Sequence, residues 1–298
     1  MKKHTYYMPL TAAPFKRSEK YRELLPQKAE LTGYIRCFWG SGQPYVQTGE
    51  TADSTLVIPD TCVDIIYYID DTANTVTGGF CGINDTSFWH YDNADDGHRV
   101  SVFAIRFFAW GVYRFSEDSM KDTRNGFEDV QARFRWLDNA LRQQLFEKRS
   151  LEERCAVAEA LLLARLSHTR QNDMISAAAR RIIFHRGAQS ISELTRECFV
   201  SSRHLERLFH EYIGITPKKL SSIVRFQFLW NEILQNPIFQ VLDAVSKYGY
   251  TDQSHLLREF KRYHTMDIQA ARLHACRQAC NNVENIQDIS DNNKIIIG

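Results

Sequence analysis

The stretch Val200-Ser201-Ser202-Arg203-His204-Leu205-Glu206-Arg207-Leu208-Phe209 returns 51 residues later as Thr251-Asp252-Gln253-Ser254-His255-Leu256-Leu257-Arg258-Glu259-Phe260. At that offset His204 falls on His255, Leu205 on Leu256, Arg207 on Arg258, Phe209 on Phe260 and Tyr212 on Tyr263, five identities within nine positions. Capping residues align too, Ser201 over Asp252. Each copy reads as a short helix, a tight turn and a capped helix: Ile191–Cys198 then Ser201–Tyr212, and Val241–Tyr248 then Asp252–Tyr263. Two helices joined by a turn of three or four residues make a helix-turn-helix unit.

The apolar positions expected to close the angle between the helices are Leu194 with Leu205 and Phe209, and Val245 with Leu256 and Phe260. The opposite faces stay polar. They offer Ser202, Arg203, His204, Glu206 and Arg207 in the first copy, and Gln253, Ser254, His255, Arg258 and Lys261 in the second. Guanidinium forks, amides and carboxylates are the groups that match base edges in a major groove, and helix starts offer free N–H groups to phosphates. Between the copies, Thr216-Pro217 opens a helix that runs to about Gln235, proline being favoured at a first helical position. Such a rod is about 28 Å long, close to the ~34 Å between successive major-groove faces of DNA.

Outward from this repeat, the chain of 298 residues is 44% apolar, 24% charged and 12% aromatic, with a net charge of +1. That composition excludes disorder as the main state, and no window approaches the ~18 apolar residues of a membrane span. The basic start Met1-Lys2-Lys3-His4 is followed by no apolar run of a secretory signal, which predicts a cytoplasmic protein without a membrane partner. Seven cysteines, none spaced Cys-x-x-Cys, predict reduced thiols. Residues 171–275 carry 14 Lys/Arg against 10 Asp/Glu, whereas residues 1–170 carry 21 against 23. The excess of positive charge lies where a polyanionic partner would bind.

The fold class expected is α+β. Residues 1–130 alternate in short runs such as Thr32–Trp39, Cys62–Ile69 and Val100–Phe107, separated by turn residues, as in a sandwich or small cupin-like barrel. Residues 131–170 change to a period of about 3.6, with stripes at Phe134, Leu137, Leu141, Leu145 and at Leu151, Cys155, Ala158, Leu162, Leu166. The first stripe suits either a homodimer seam or the cover of the chain's own barrel. The polar break His168–Asn172 is the expected boundary of an all-helical domain over 171–275, followed by a tail over 276–298.

Residues ~173–275 resemble the DNA-binding domain of AraC/XylS-type bacterial transcription regulators. The likeness is carried by Val200–Phe209, Gly214-Ile215-Thr216-Pro217, Arg225 in the linker helix, Tyr248–Leu256 and Arg258-Glu259-Phe260-Lys261. It departs at Thr265 and Ile268, where the family repeats its Gly-x-x-Pro, at Thr195 and Val245 in place of small residues, and at Leu229 in place of alanine. The resemblance implies a transcription regulator that binds double-stranded operator DNA. It further implies a small-molecule effector or a second subunit at the amino-terminal domain, with RNA polymerase as a further partner.

Aromatic residues crowd positions 34–115, and strand aromatics are most often core. An effector pocket among them would draw on Trp39, Tyr67, His90 and Trp110 with Arg106 as polar anchor, Asp64 and Cys81 being further polar choices. His90, Asp92 and His98 lack the converging set a metal needs, so no metal or cofactor is expected. Cys276 and Cys280 stand one helical turn apart, with chance the simplest reading. No Gly-x-Ser-x-Gly, phosphate-binding glycine loop or His-Glu-x-x-His occurs. The competing readings, a cupin-like small-molecule enzyme with a helical appendage or an adaptor, rest on the aromatic β-region alone.

Overall fold

The computed structural model describes residues 7–11, 21–46, 54–91, 97–166 and 172–281. Most of the polar break at 168–172, and the tail beyond 281, lie outside the described residues. Among the described residues, no helix is long and apolar enough to cross a membrane.

The amino-terminal region is built from strands β1 (Tyr21–Leu24), β2 (Ile35–Ser41), β3 (Tyr45–Val46), β4 (Ser54–Val57), β5 (Cys62–Asp70), β6 (Thr75–Cys81), β7 (Phe88–Tyr91), β8 (Arg99–Phe108) and β9 (Phe127–Asp129). Seven form one antiparallel sheet in the order β1-β2-β8-β5-β6-β9, with β3 also on β8, and β4 pairs with β7. The long central strands β5 and β8 are buried on both faces, which explains their near-continuous apolar runs. Period-2 alternation sends Val63, Ile65, Tyr67, Phe103, Ile105 and Phe107 to one side. Asp64, Ile66, Ala104 and Arg106 go to the other, as the pairings Asp64↔Arg106 and Tyr67↔Phe103 require.

Helices α1 (Gln131–Glu147) and α2 (Leu151–Leu166) form a hairpin. Phe134, Leu137, Leu141 and Leu145 are completely buried in the core of this same chain, and the Phe134 ring lies 5.1 Å from that of Phe80. The dimer seam offered for this stripe is therefore corrected. Its side chains cover the sheet and leave no surface for a partner.

The carboxy-terminal region contains α3 (Asp173–Phe184), α4 (Ile191–Glu197), α5 (Ser202–Tyr212), α6 (Pro217–Gln235), α7 (Val241–Lys247), α8 (Gln253–His264) and α9 (Ile268–Asn281). Helix α6 runs through the middle of it and buries residues around much of its circumference, Leu220, Ile223, Val224, Phe226, Leu229, Trp230 and Ile233 among them. That all-round apolar surface is what lets one helix serve two helical units.

Candidate nucleic-acid interface

Units α4–α5 and α7–α8 each place a capped helix on the surface. The Ser201 hydroxyl accepts from the His204 N–H at 3.3 Å, and the Asp252 carboxylate from the His255 N–H at 2.7 Å. Helix α4 is started by a reciprocal capping box between Ser190 and Glu193. On the inner side, Leu205, Phe209, Leu256, Phe260 and Tyr263 are fully buried. On the outer side Ser202, Arg203, Glu206 and Arg207 of α5, and Gln253, Ser254, Arg258 and Lys261 of α8, are all exposed. The structure thus gathers eight of the ten expected contact residues onto two open faces.

The remaining two, His204 and His255, are half-buried. His204 Nδ1 lies 3.1 Å from the Arg207 guanidinium, and His255 Nδ1 lies 3.1 Å from the Thr251 hydroxyl with its ring edge-on to Tyr250. Their repetition in sequence reflects the turn and helix start they brace as much as any outward contact.

The turns differ between the units. In the first, Cys198 to Ser201 join the helices, and in the second Tyr248 to Asp252 do, one residue more. The 51-residue offset therefore holds for the second helices, while the first helices align at 50. Ala244, and not Val245, is the buried counterpart of Leu194. Phe199 and Gly249 occupy the left-handed turn position at φ 53° and 67°, and Phe199 is 95% exposed. No contact in the structure explains that phenylalanine.

A pair that the sequence reading passed over fixes α8 on α6. Glu259, only 7% exposed, accepts three hydrogen bonds from Arg225, one from Nε at 2.9 Å and two from Nη2 at 2.8 and 2.9 Å, and the Arg225 guanidinium lies 4.4 Å from the Tyr250 ring centre. A fork-to-carboxylate bond defines direction as well as distance, so it sets the angle at which α8 leaves the linker helix. Its signal was a charged residue at an inward position of α8, one place after Arg258.

The first unit and the linker helix are docked on the amino-terminal domain. Met120 N–H and the Ser119 hydroxyl donate to the Glu211 carbonyl at the end of α5, at 2.8 and 3.1 Å. Lys219 pairs with Asp85 at 2.8 Å. Burial works to raise the Asp85 carboxyl, but Lys219 and Asn125 outweigh it and hold it below the ordinary range. Gln227 of α6 is buried and uses its amide like a strand edge. It accepts from Leu10 N–H at 2.7 Å and donates to the carbonyls of Leu10 and Pro59 at 2.8 and 2.7 Å. The second unit is held as well, the Ser87 hydroxyl donating to the Tyr263 carbonyl. A cleft of about 310 Å³ lies on this seam, lined by Asp122, Arg124, His210, Gly214, Ile215, Thr216 and Lys219.

The five residues expected around an effector do not share a pocket. Trp39 and Arg106 meet on Asp64, at 2.9 and 2.7 Å. Tyr67, three residues along β5, necessarily points to the opposite face. Trp110 is buried and stacked on Phe108, while His90 is exposed on β7. Arg106 is also not a free anchor, because it pairs with Asp60 besides Asp64. Burial disfavours its charge, yet the two carboxylates outweigh that and raise its pKa. Burial likewise pushes the thiols of Cys37 and Cys81 up to about 12 and about 11, so both stay protonated. Cys276 is exposed, and the Cys280 side chain lies outside the described residues.

Residues 194–288 match a family described as a helix-turn-helix domain, and residues 22–128 match a domain of unknown function (DUF6597). No curated protein matches the chain. Among solved structures it is similar to ToxT from Vibrio cholerae, with 10% identity over 78% of this chain and 97% of that one, at a TM-score of 0.39. Similar too is the unsaturated fatty acid-bound wild-type ToxT of Vibrio cholerae strain SCE256, at 9% identity over 79% and 95% of the two chains, TM-score 0.39. A third is ToxT from Vibrio cholerae O395 bound to (E)-4-(8-methylnaphthalen-1-yl)but-3-enoic acid, at 11% identity over 81% and 99%, TM-score 0.39.

Proposed function

We propose that this chain, whose carboxy-terminal domain is of the AraC helix-turn-helix type, is a DNA-binding transcription regulator that reads two successive major grooves of one duplex. The observation that carries this reading is the pair of capped helices α5 and α8, mounted on one linker helix with their polar faces open. Arg203, Arg207 and Arg258 supply forks for guanine or phosphate, and Ser202, Gln253, Ser254 and Lys261 supply hydroxyl, amide and ammonium partners at the same faces.

The amino-terminal domain acts, in this reading, as the sensor. Its support is the seam, where Asp85, Ser119, Met120 and Pro59 hold α5 and α6 directly. A ligand acts only through different affinity for two arrangements of the protein, and a ligand in the seam cleft would touch both halves.

Footprinting and a salt series test the proposal. Two protected patches about ten base pairs apart are expected, with log affinity falling steeply against log salt. Arg203→Ala and Arg258→Ala should each weaken specific binding by roughly 1–3 kcal/mol. A single patch, or an interaction indifferent to salt, would overturn it.

A further inference from the structure

Resting on that reading, we propose that the two units demand chemically different bases at one equivalent helix position. Leu257 would take a thymine methyl group in the groove read by α8, and Glu206 a cytosine amino group in the groove read by α5.

The two residues are counterparts at the 51-residue offset, and each is the fifth residue of its helix. The early turns of a recognition helix are those that reach base edges. Leu257 is 43% exposed although it lies in the middle of the polar face, with Ser254 three residues before it and Lys261 four after. A leucine scattered on a surface needs no explanation. This one interrupts the single face of α8 that carries the reading groups, while Leu256, Phe260 and Tyr263 already fill the inner side. In a major groove, the apolar feature a short branched side chain can meet is the C5 methyl of thymine.

Glu206 is the complement of this choice. The other acids in reach of these helices are engaged, Glu211 with Arg207 at 3.6 Å and Glu259 with Arg225. Glu206 makes no ion pair among the described residues, and it is exposed. A carboxylate accepts from the cytosine N4 amino group and is repelled by the acceptors N7 and O6 of guanine and O4 of thymine. The preference therefore includes rejection of the wrong base. The operator is then an asymmetric site whose halves cannot be exchanged.

The full chain should be used to select duplexes from a random pool, and the recovered site then altered one group at a time. Replacing the thymine in the α8 half by deoxyuridine removes only its methyl group. It should weaken binding on the order of three- to ten-fold, the value of one buried methyl. Leu257→Ala should bind the thymine and deoxyuridine sites equally, and Leu257→Met, which keeps an apolar tip, should still tell them apart. Glu206→Gln should lose the cytosine preference in the α5 half and leave the methyl effect in the other half intact. A methyl effect that survives Leu257→Ala, or no methyl effect at any thymine, overturns the proposal while leaving the DNA reader standing. Recovery of no duplex at all overturns the DNA reader itself.

Discussion

At the scale of single residues, Thr265 shows how a departure in sequence conceals a retained conformation. It stands 51 residues after Gly214, and both adopt left-handed φ, 71° and 87°. Glycine takes that conformation freely, whereas a β-branched residue is strained there. Thr265 is exposed and closes α8, so the strain is not repaid by burial. Thr265→Gly should therefore stabilise the protein by about 1 kcal/mol, read as a higher melting temperature with operator affinity unchanged. A lower melting temperature would show that the threonine does something the structure does not reveal. His264, next to it, supplies a pH prediction. Its ring is wholly buried between Trp230 and Phe260, without a hydrogen-bond partner on either nitrogen among the described residues, and burial pushes its pKa down to about 4. The unfolded chain binds that proton near pH 6.5 while the folded chain does not. Stability is thus intact above about 6.5 and falls as pH drops towards 4, by about 2 kcal/mol at pH 5. Thermal melts at pH 7 and pH 5 should show this loss, and His264→Leu should reduce the difference between them.

At the scale of elements, the helical half was legible because its constraints are local and repeated. Caps, the proline at 217 and the 3.6 period all fall within a few residues of what they control, and α6 spans Pro217–Gln235 as the sequence suggests. The parts of the repeat that sequence obscured are those where equivalent geometry uses different residues. Asp267 caps α9 through the Ala270 N–H as Thr216 caps α6, and Ile268 takes the first helical position that Pro217 holds in the earlier copy. The amino-terminal half was less legible. An apolar stripe at spacings of 3, 4 and 4 satisfies a coiled-coil seam and a core face equally, and only the sheet beneath α1 decides between them. The same holds for Trp39, Tyr67 and Arg106, whose side of the sheet depends on strand register. Leu141→Ala should accordingly destabilise the protein by about 2–5 kcal/mol through the cavity it leaves, with the sedimentation coefficient of the folded fraction unchanged. A shift to a smaller species without loss of stability would restore the seam.

At the scale of the whole molecule, the question is what the docking of one half on the other does for the reader. Gln227 gives the sharpest probe, because its buried amide satisfies Leu10 N–H and the carbonyls of Leu10 and Pro59 together. Pro59 immediately precedes Asp60, which is paired with Arg106 on the sheet. A rearrangement around that ion pair therefore lies one peptide from the linker helix that carries both reading units. Gln227→Ala would leave these backbone groups unpaired, and buried polar groups without partners cost about 1–3 kcal/mol. The penalty falls on the docked arrangement alone, so undocking should become detectable as two separated unfolding transitions in calorimetry. If docking sets the relation of α5 to α8, operator affinity should change in the same variant. A coupling of 1–3 kcal/mol corresponds to about 5- to 150-fold. The reading faces themselves are untouched by the substitution, so the affinity measurement reports the seam and not a lost DNA contact. Split transitions with unaltered affinity would mean that the reader works independently of its dock, and any influence of the amino-terminal domain on it would then have to take another route.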